Sequence, residues 1–297
     1  MDITVAKTAG FCFGVKRAVE KLELEAEKSP VSTLGPIIHN AHVVEKLKKK
    51  GVESIDNLNA LKSGVRLAIR THGVGRQITD EIKRRGIECI DLTCPFVKKI
   101  HNIVSQKYKD GYKIVIAGDE NHPEVQGING WCNMSAFIAA SPESLKGKLS
   151  YGDKVCAVSQ TTLDRATFDS IVDFLNKTCR EPEIYNTICS ATSERQREAA
   201  HIAQNVDLMI VIGGKHSSNT CSSYCGNTYQ IESFEEFPQN IDIPRKIGIT
   251  AGASAPSCII KEVVLGMEEK LKGNEFAQAF EEYEKSLITL NTRDIVK

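Results

Sequence analysis

The sequence lacks an excess of charge of either sign. Lysine plus arginine and aspartate plus glutamate each number 38 among 297 residues. A chain without a bulk basic field has no general attraction for nucleic acid or for an anionic membrane surface. We therefore expect no nucleic-acid binding by residues 1–270, and any anionic ligand has to be held by local groups.

Long apolar runs and a secretion signal are also missing. No stretch approaches the roughly 20 apolar residues that a membrane helix requires. The first residues, Met-Asp-Ile-Thr-Val-Ala-Lys, lack the charged-then-apolar layout of a signal peptide. We expect a cytoplasmic, globular protein with no membrane association.

Cysteine, in contrast, is abundant, with ten residues. Disulfides rarely persist in a reducing compartment, so metal binding or thiol chemistry is the better explanation for some of them, and the majority are expected to be small buried residues. The paired short cysteine and histidine spacings of structural zinc sites are missing. The nearest local pair, Cys221 and Cys225, is assigned no role.

Short runs rich in valine and isoleucine alternate with segments of helical period. This alternation predicts α/β architecture with mainly parallel strands. Strands are predicted at residues 2–6, 65–70, 87–92, 112–117, 154–158, 183–188, 207–212 and 246–250.

Three cysteines, Cys12, Cys94 and Cys189, each stand where a strand or the turn after it gives way to a helix. Each of these helices is predicted to have an apolar face. The faces consist of Val15, Ala18, Val19, Leu22 and Ala26 after Cys12, of Phe96, Val97, Ile100, Ile103 and Val104 after Cys94, and of Ala199, Ile202, Ala203 and Val206 after Cys189. In the helix after Cys12, the charged residues Lys16, Arg17, Glu20 and Glu23 are predicted to lie on the opposite face. The cysteines divide the chain into near thirds. This spacing predicts three similar α/β modules, 14–96, 97–190 and 191–270, the last with the N-terminal strand of 1–13.

Three separated cysteines can form one site. Ligands of open α/β units gather beyond the carboxyl ends of the strands, so modules that face a common axis would bring the thiols to one point. A helix N-terminus behind each sulfur favours the thiolate and suits an anionic iron–sulfur core. Three thiolates leave one iron of a cubane open to bind substrate as a Lewis acid. The residues alone leave open that these are three ordinary buried cysteines.

Polar residues at predicted strand ends could bind an anion. They are His39, His72, His122, Thr161, Thr162, Ser217, Ser218, Asn219 and Ser254. Imidazoles, hydroxyls and the amides of glycine-rich loops can hold phosphate groups without arginines. Glu124 is an acid among these donors and is the candidate proton carrier for a reductive loss of hydroxyl. Considered alone, it would be a surface acid in a turn.

The ordered motifs resemble the 4-hydroxy-3-methylbut-2-enyl diphosphate reductases of the non-mevalonate isoprenoid pathway over most of residues 1–270. The segments that carry the resemblance are Ala9-Gly-Phe-Cys12-Phe-Gly-Val-Lys-Arg-Ala18, Gly35-Pro-Ile-Ile-His39-Asn40, Arg70-Thr-His72-Gly73, Thr93-Cys94-Pro95, His122-Pro-Glu124, Gln160-Thr-Thr162, Thr187-Ile-Cys189-Ser-Ala-Thr192-Ser-Glu-Arg-Gln196, Ser217-Ser-Asn219-Thr220 and Gly252-Ala-Ser254. The resemblance implies three α/β domains in a pseudo-threefold trefoil around one [4Fe–4S] cluster held by Cys12, Cys94 and Cys189.

The resemblance also implies roles in catalysis. His39, His72, His122, Ser217, Ser218, Asn219 and Ser254 would hold the diphosphate of the substrate. Thr161, in preference to Thr162, would contact the substrate hydroxyl, and Glu124 would deliver the proton beside His122. In that family the substrate alcohol binds the open iron and electrons arrive singly from ferredoxin or flavodoxin. The products are isopentenyl and dimethylallyl diphosphate.

Residues 271–297 form a polar tail that is expected to lie outside the compact body. Some family members continue into domains like ribosomal protein S1, and this tail resembles the beginning of one. We expect the sequence to be part of a longer protein.

Two other classes of function stay open at the sequence level. A non-redox condensing enzyme or dehydratase, such as quinolinate synthase, can also use a three-cysteine cluster as a Lewis acid, and it would turn over without a reductant. A non-enzymatic iron–sulfur sensor, or a structural module partnered through its tail, would have no need for Glu124.

Overall fold

The computed structural model describes residues 2–38, 40–213, 225–238, 241 and 243–271. Over these residues the chain forms twelve β-strands and eight α-helices. The chain divides into two compact units, Phe13–Cys189 on the one hand and Met1–Cys12 with Ser190–Lys297 on the other.

The unit Phe13–Cys189 begins with a four-stranded parallel sheet. Its strands are β2 (Val31–Leu34), β3 (Val52–Ile55), β4 (Arg66–Ile69) and β5 (Cys89–Asp91), in the order β3-β2-β4-β5. Helix α1 (Phe13–Ala26) precedes the sheet, α2 (Ala41–Lys49) connects β2 to β3, and α3 (Arg76–Arg84) connects β4 to β5.

A second parallel sheet follows in the same unit. It contains β6 (Lys113–Ala117), β7 (Phe137–Ala139), β8 (Val155–Ser159) and β9 (Glu183–Ile184), in the order β7-β6-β8-β9. Its helices are α4 (Pro95–Lys109), α5 (Pro123–Asn129) and α6 (Arg165–Thr178). Val115 packs with Phe168 on one face of β6, and Ile116 packs with Ile100 on the other. Because both faces are covered, the strand sequences are almost continuously apolar.

The other unit contains the third sheet. Strands β1 (Asp2–Val5), β10 (Leu208–Ile212), β11 (Thr228–Ile231) and β12 (Lys246–Ala251) pair in parallel in the order β1-β12-β10-β11. Helices α7 (Ser190–Ala203) and α8 (Ser257–Leu271) accompany this sheet. Its core includes Ile202, Ile210, Ile249 and Val263.

The three sheets share one plan, which confirms the predicted α/β class with three similar modules. In each sheet the strand that leads to Cys94, Cys189 or Cys12 is an edge strand, namely β5, β9 or β1. The third module takes this edge strand from the N-terminus of the chain. The boundaries predicted for the modules, 14–96, 97–190 and 191–270, stay a prediction.

All eight predicted strands are present, and four further strands were missed. The missed strands are β2, β3, β7 and β11. β2 buries Ser32 and Thr33, so its sequence lacks the apolar run that marks a buried strand. β9 ends at Ile184, earlier than predicted, and beyond it the Thr187 side chain bonds to the backbone of Ser159 at 2.7 Å in place of a ladder.

The predicted helix faces are largely confirmed, with two errors. Val15, Ala18, Val19 and Leu22 are buried on α1. Arg17, predicted to face away, is half-buried and contacts the chain before Cys94. Phe96, predicted to be buried on α4, is 44% exposed, whereas the next residue, Val97, is buried. None of the described helices is long and apolar enough to cross a membrane.

Candidate active site

A continuous series of contacts within Phe13–Cys189 connects six of the predicted site residues. Ordered along this series, they are Cys189, Thr161, Glu124, His122, His72 and, through a bond to Thr71 beside His72, Cys94. All six lie at or just after the carboxyl ends of strands of the two sheets, where an open α/β sheet forms its crevice.

Glu124 is a buried acid whose side chain bonds to Thr161, a residue of the loop after β8. The side chain is 3% exposed. Its Oε1 accepts from the Thr161 backbone N–H at 2.6 Å, and its Oε2 accepts from the Thr161 hydroxyl at 2.7 Å. Burial raises the pKa of the Glu124 carboxyl, and the two Thr161 hydrogen bonds only partly oppose this shift. Glu124 can therefore hold a proton at a pH where an exposed glutamate has lost it.

Two imidazoles lie beside this acid. His122 is the N-cap of α5, and its Nδ1 accepts from the Glu124 backbone N–H at 3.2 Å. An accepting Nδ1 places the proton of the neutral ring on Nε2. The His72 ring meets the His122 ring edge-on, with centroids 5.4 Å apart. The two rings thus provide adjacent polar groups on loops after β4 and before α5.

The cysteines are fixed to these loops through their backbones. Cys94 N–H donates to Thr71 O at 3.0 Å, next to His72, and Cys189 N–H donates to Thr161 O at 2.9 Å. In the other unit, Cys12 N–H donates to Ala253 O at 3.3 Å, next to Ser254. Each cysteine is thus bonded to the loop after the neighbouring strand, and the same contact occurs once in each module.

Each cysteine also directly precedes a helix. α1, α4 and α7 begin at Phe13, Pro95 and Ser190, and none of the three has an acidic residue in its first turn. The positive end of each helix is thus not neutralised by its own sequence, which suits a bound anionic group. At Gly14, a Cβ would lie 2.7 Å from Cys94 Sγ. The glycine gives α1 the room to start beside this sulfur.

The remaining predicted residues are divided between the other unit and undescribed parts of the chain. Ser254 is half-buried in the loop between β12 and α8. His39, Ser217, Ser218 and Asn219 lie outside the described residues, as do Cys221 and the tail 272–297. Thr162 Oγ1 accepts from the Gln160 side chain at 2.8 Å, whereas Thr161 faces Glu124.

The other described cysteines form no part of this series of contacts. Only three of the nine described cysteines, Cys132, Cys156 and Cys179, are buried, so the expectation that most of the cysteines are buried is wrong for the described residues. Burial raises the pKa of the Cys132 thiol to about 11 and that of Cys156 to about 12. These thiols behave as small apolar residues of the core.

Sequence reasoning missed the side chains that hold the site in place. Gln160 Oε1 accepts from the Asp119 N–H at 3.2 Å and connects the loops after β6 and β8. Arg17, Arg195 and Glu198 bond to the backbone that leads to two of the cysteines. These three residues could have been noticed because they lie in helices that start directly after a cysteine. Helical periodicity alone, however, does not predict contacts with a distant loop.

The parallel sheets, the thiols at helix starts and the buried acid beside imidazoles define an α/β enzyme whose site lies at the strand ends. Comparison with known proteins gives the family. The family model described as LytB protein matches residues 3–268. The chain belongs to the LytB family.

Individual relatives agree with this assignment. A protein from Caldanaerobacter subterraneus subsp. tengcongensis named 4-hydroxy-3-methylbut-2-enyl diphosphate reductase is 48% identical over 287 residues, covering 92% of this chain and 97% of that protein. A solved structure of (E)-4-hydroxy-3-methyl-but-2-enyl diphosphate reductase is similar with a TM-score of 0.67 and 38% identity, covering 91% of this chain and 100% of that one. The E-1-hydroxy-2-methyl-but-2-enyl-4-diphosphate reductase from Plasmodium falciparum has a TM-score of 0.83 and 29% identity, covering 90% of this chain and 88% of that one.

Proposed function

We propose that this chain reduces (E)-4-hydroxy-3-methylbut-2-enyl diphosphate to isopentenyl and dimethylallyl diphosphate, the last step of the non-mevalonate pathway. The observation that carries the proposal is the buried Glu124 carboxyl bonded to Thr161 beside two histidines. Loss of the hydroxyl as water consumes protons together with electrons, so an acid with a raised pKa is the group that the reaction needs. Relatives that match over nearly their full length support the same reaction.

Cys12, Cys94 and Cys189 would hold one [4Fe–4S] cluster in this proposal. Their donor set fits, because each thiol lies at a helix start without acidic residues in its first turn. Among the described residues, no three His, Cys, Asp or Glu side chains are placed to hold a single metal ion. A [4Fe–4S] cluster would take its thiolate ligands on different irons, so three cysteines that hold it would not form a site for a single ion. When bound, the cluster would supply electrons one at a time and a Lewis-acidic iron for the substrate oxygen.

The chain's own groups would manage the proton and the diphosphate. A hydroxyl both donates and accepts, so the Thr161 hydroxyl can relay the proton of Glu124 toward the substrate oxygen. His72, His122 and Ser254, with His39, Ser217, Ser218 and Asn219, would bind the diphosphate oxygens. Ferredoxin or flavodoxin as electron donor and a cytoplasmic location complete the proposal.

The test is anaerobic turnover after reconstitution with iron and sulfide, with substrate and a one-electron donor. Cys94→Ser is expected to lose both the cluster absorbance and product formation, because a serine hydroxyl is a poor ligand for iron in a thiolate cluster. Cys89→Ser is the matched control, since Cys89 begins β5, the short strand that leads to Cys94, and this variant is expected to retain both. Wild-type protein that consumes the substrate without any reductant, and forms neither isopentenyl nor dimethylallyl diphosphate, would replace the proposal with the non-redox Lewis-acid alternative.

A further inference from the structure

The segment that leads to Cys12 is an irregular loop held by α7. Residues 6–12 follow β1 without forming regular structure, and Gly10 has a φ of 100°. Such a loop has no ladder of its own to fix the position of the thiol at its end. Its backbone groups therefore depend on bonds from outside the segment.

Arg195 and Glu198 of α7 provide most of these bonds, beside those from Ala6 N–H to Ile249 O and from Cys12 N–H to Ala253 O. Arg195 is 4% exposed and donates to Thr8 O at 2.7 and 3.0 Å and to Gly10 O at 2.8 Å. Glu198 accepts from the backbone N–H groups of Lys7 and Thr8, each at 2.8 Å. Two neighbouring turns of one helix thus hold both donors and acceptors of the loop, and this helix starts directly after Cys189.

Arg17 repeats the arrangement in Phe13–Cys189. It lies on α1, the helix that starts directly after Cys12, and its Nη2 donates to Thr93 O at 2.8 Å and to Leu92 O at 3.3 Å. These carbonyls belong to the two residues before Cys94. In both cases an arginine five or six positions after one cysteine holds the chain that leads to another cysteine.

We propose that Arg195, with Glu198, and Arg17 are positioning residues that fix the Cys12 and Cys94 loops for the cluster. The effect on cluster binding rests on the proposed function, but the fixing of the loops can be measured without iron. Charge-assisted bonds from a planar guanidinium to two carbonyls hold a backbone in one geometry more firmly than a single neutral bond does. The helix that follows one of the three cysteines therefore fixes the loop that leads to another of them.

The third loop provides an internal contrast. The approach to Cys189 is held by the Thr187 hydroxyl, which donates to Ser159 O at 2.7 Å and accepts from Ser159 N–H at 2.7 Å. The arginine variants are therefore expected to leave this loop unchanged.

The test compares Arg195→Met and Arg17→Met in the full chain with matched controls, Arg197→Met on the exposed side of α7 and Lys21→Met on the exposed side of α1. Without iron, Arg195→Met is expected to raise amide exchange in residues 7–12 and alkylation of Cys12 by about tenfold, the effect of losing a charge-assisted bond. Arg17→Met is expected to do so for residues 92–94 and Cys94. If Arg195→Met does not fold, Arg195→Lys and Glu198→Gln replace it in the same exchange and alkylation measurements.

The cluster-loaded protein gives the second readout. Release of iron to a chelator is expected to be about tenfold faster in each arginine variant than in its control. Exchange that is unchanged, or that rises equally in all three loops, would overturn the loop-fixing role. Loop-specific exchange with normal iron release would overturn the positioning role. Failure of wild-type protein to take up any cluster would reject the proposed function, while the exchange data would still decide whether the arginines fix the loops.

Discussion

At the residue scale, Glu124 shows how packing raises the pKa of a common acid. An exposed glutamate in a turn is ionised at neutral pH. Here α5 and the loop after β8 exclude water from the carboxyl, and among the described residues Thr161 is the one that bonds to its oxygens. The raised pKa of Glu124 therefore follows from desolvation and not from a neighbouring charge.

Replacement of this acid should separate proton delivery from cluster binding. Glu124→Gln is expected to lower turnover about 100-fold or more, because an amide cannot donate the proton that a general acid supplies. Iron content should stay at the wild-type value, since the carboxyl is not a proposed ligand. The measurement is product formation with a chemical one-electron reductant.

Glu120→Gln is the control for this substitution, because Glu120 is an exposed acid in the loop directly before α5. It is expected to turn over as wild type. Turnover of wild-type enzyme should also fall as the pH rises through the raised pKa of Glu124. Normal rates from Glu124→Gln would remove the proton role and leave the cysteine assignment standing.

At the element scale, the helix starts decide where the thiols lie. α1 can begin beside Cys94 only because residue 14 has no side chain. Alanine is normally favoured over glycine inside a helix, so a loss on replacing Gly14 would arise from the contact with sulfur and not from helix propensity.

Gly14→Ala is expected to reduce iron and sulfide bound per chain after reconstitution, because its Cβ would meet Cys94 Sγ at 2.7 Å and displace the sulfur or the helix. Gly152→Ala is the control, since a Cβ there meets nothing within 4 Å. Full iron content in Gly14→Ala, with release to a chelator at the wild-type rate, would contradict this role of the glycine.

At the scale of the whole molecule, the two modules of Phe13–Cys189 pack through small and planar groups. A Cβ on Gly130 would lie 2.5 Å from Gly75 Cα, and Trp131 Nε1 donates to Val74 O at 3.0 Å. His101 stacks on Trp131 with centroids 5.3 Å apart. Burial lowers the pKa of His101 to about 4, so the ring is neutral where it packs.

This histidine should make the unit sensitive to acid. The unfolded chain binds a proton at His101 below pH 6.5, whereas the folded chain does so only near pH 4. The contribution of the neutral His101 ring to the free energy of unfolding is therefore complete above pH 6.5 and is lost as the pH falls toward 4. Wild type is expected to lose up to about 3 kcal/mol more over this window than His101→Leu. Trp131 is the chain's only tryptophan, so its fluorescence in urea titrations reports unfolding of this unit.

His201→Gln is the control for acid sensitivity, because His201 is exposed on α7. It should follow the wild-type pH dependence. An identical pH dependence in His101→Leu and wild type would show that the buried ring does not govern acid stability.

How much the sequence reveals depends on the range of each interaction. The eight apolar strands and the three cysteines at helix starts could be predicted, because buried strands and amphipathic helices have characteristic patterns of apolar residues within a short stretch of sequence. β2 could not, since its polar Ser32 and Thr33 are buried by packing partners far along the chain. Arg17 was placed on the wrong face for the same reason.

The sequence by itself determined the α/β class, the repeated plan of three modules and the residue types of the site, because periodicity and composition are local properties. Only the tertiary structure decided that Glu124 meets Thr161, that His72 meets His122, and that arginines from two helices hold the chain before Cys12 and Cys94. These contacts join segments separated by tens to almost two hundred residues. Their geometry, and the raised pKa of Glu124 that follows from it, exists only once the sheets have brought their carboxyl ends into place.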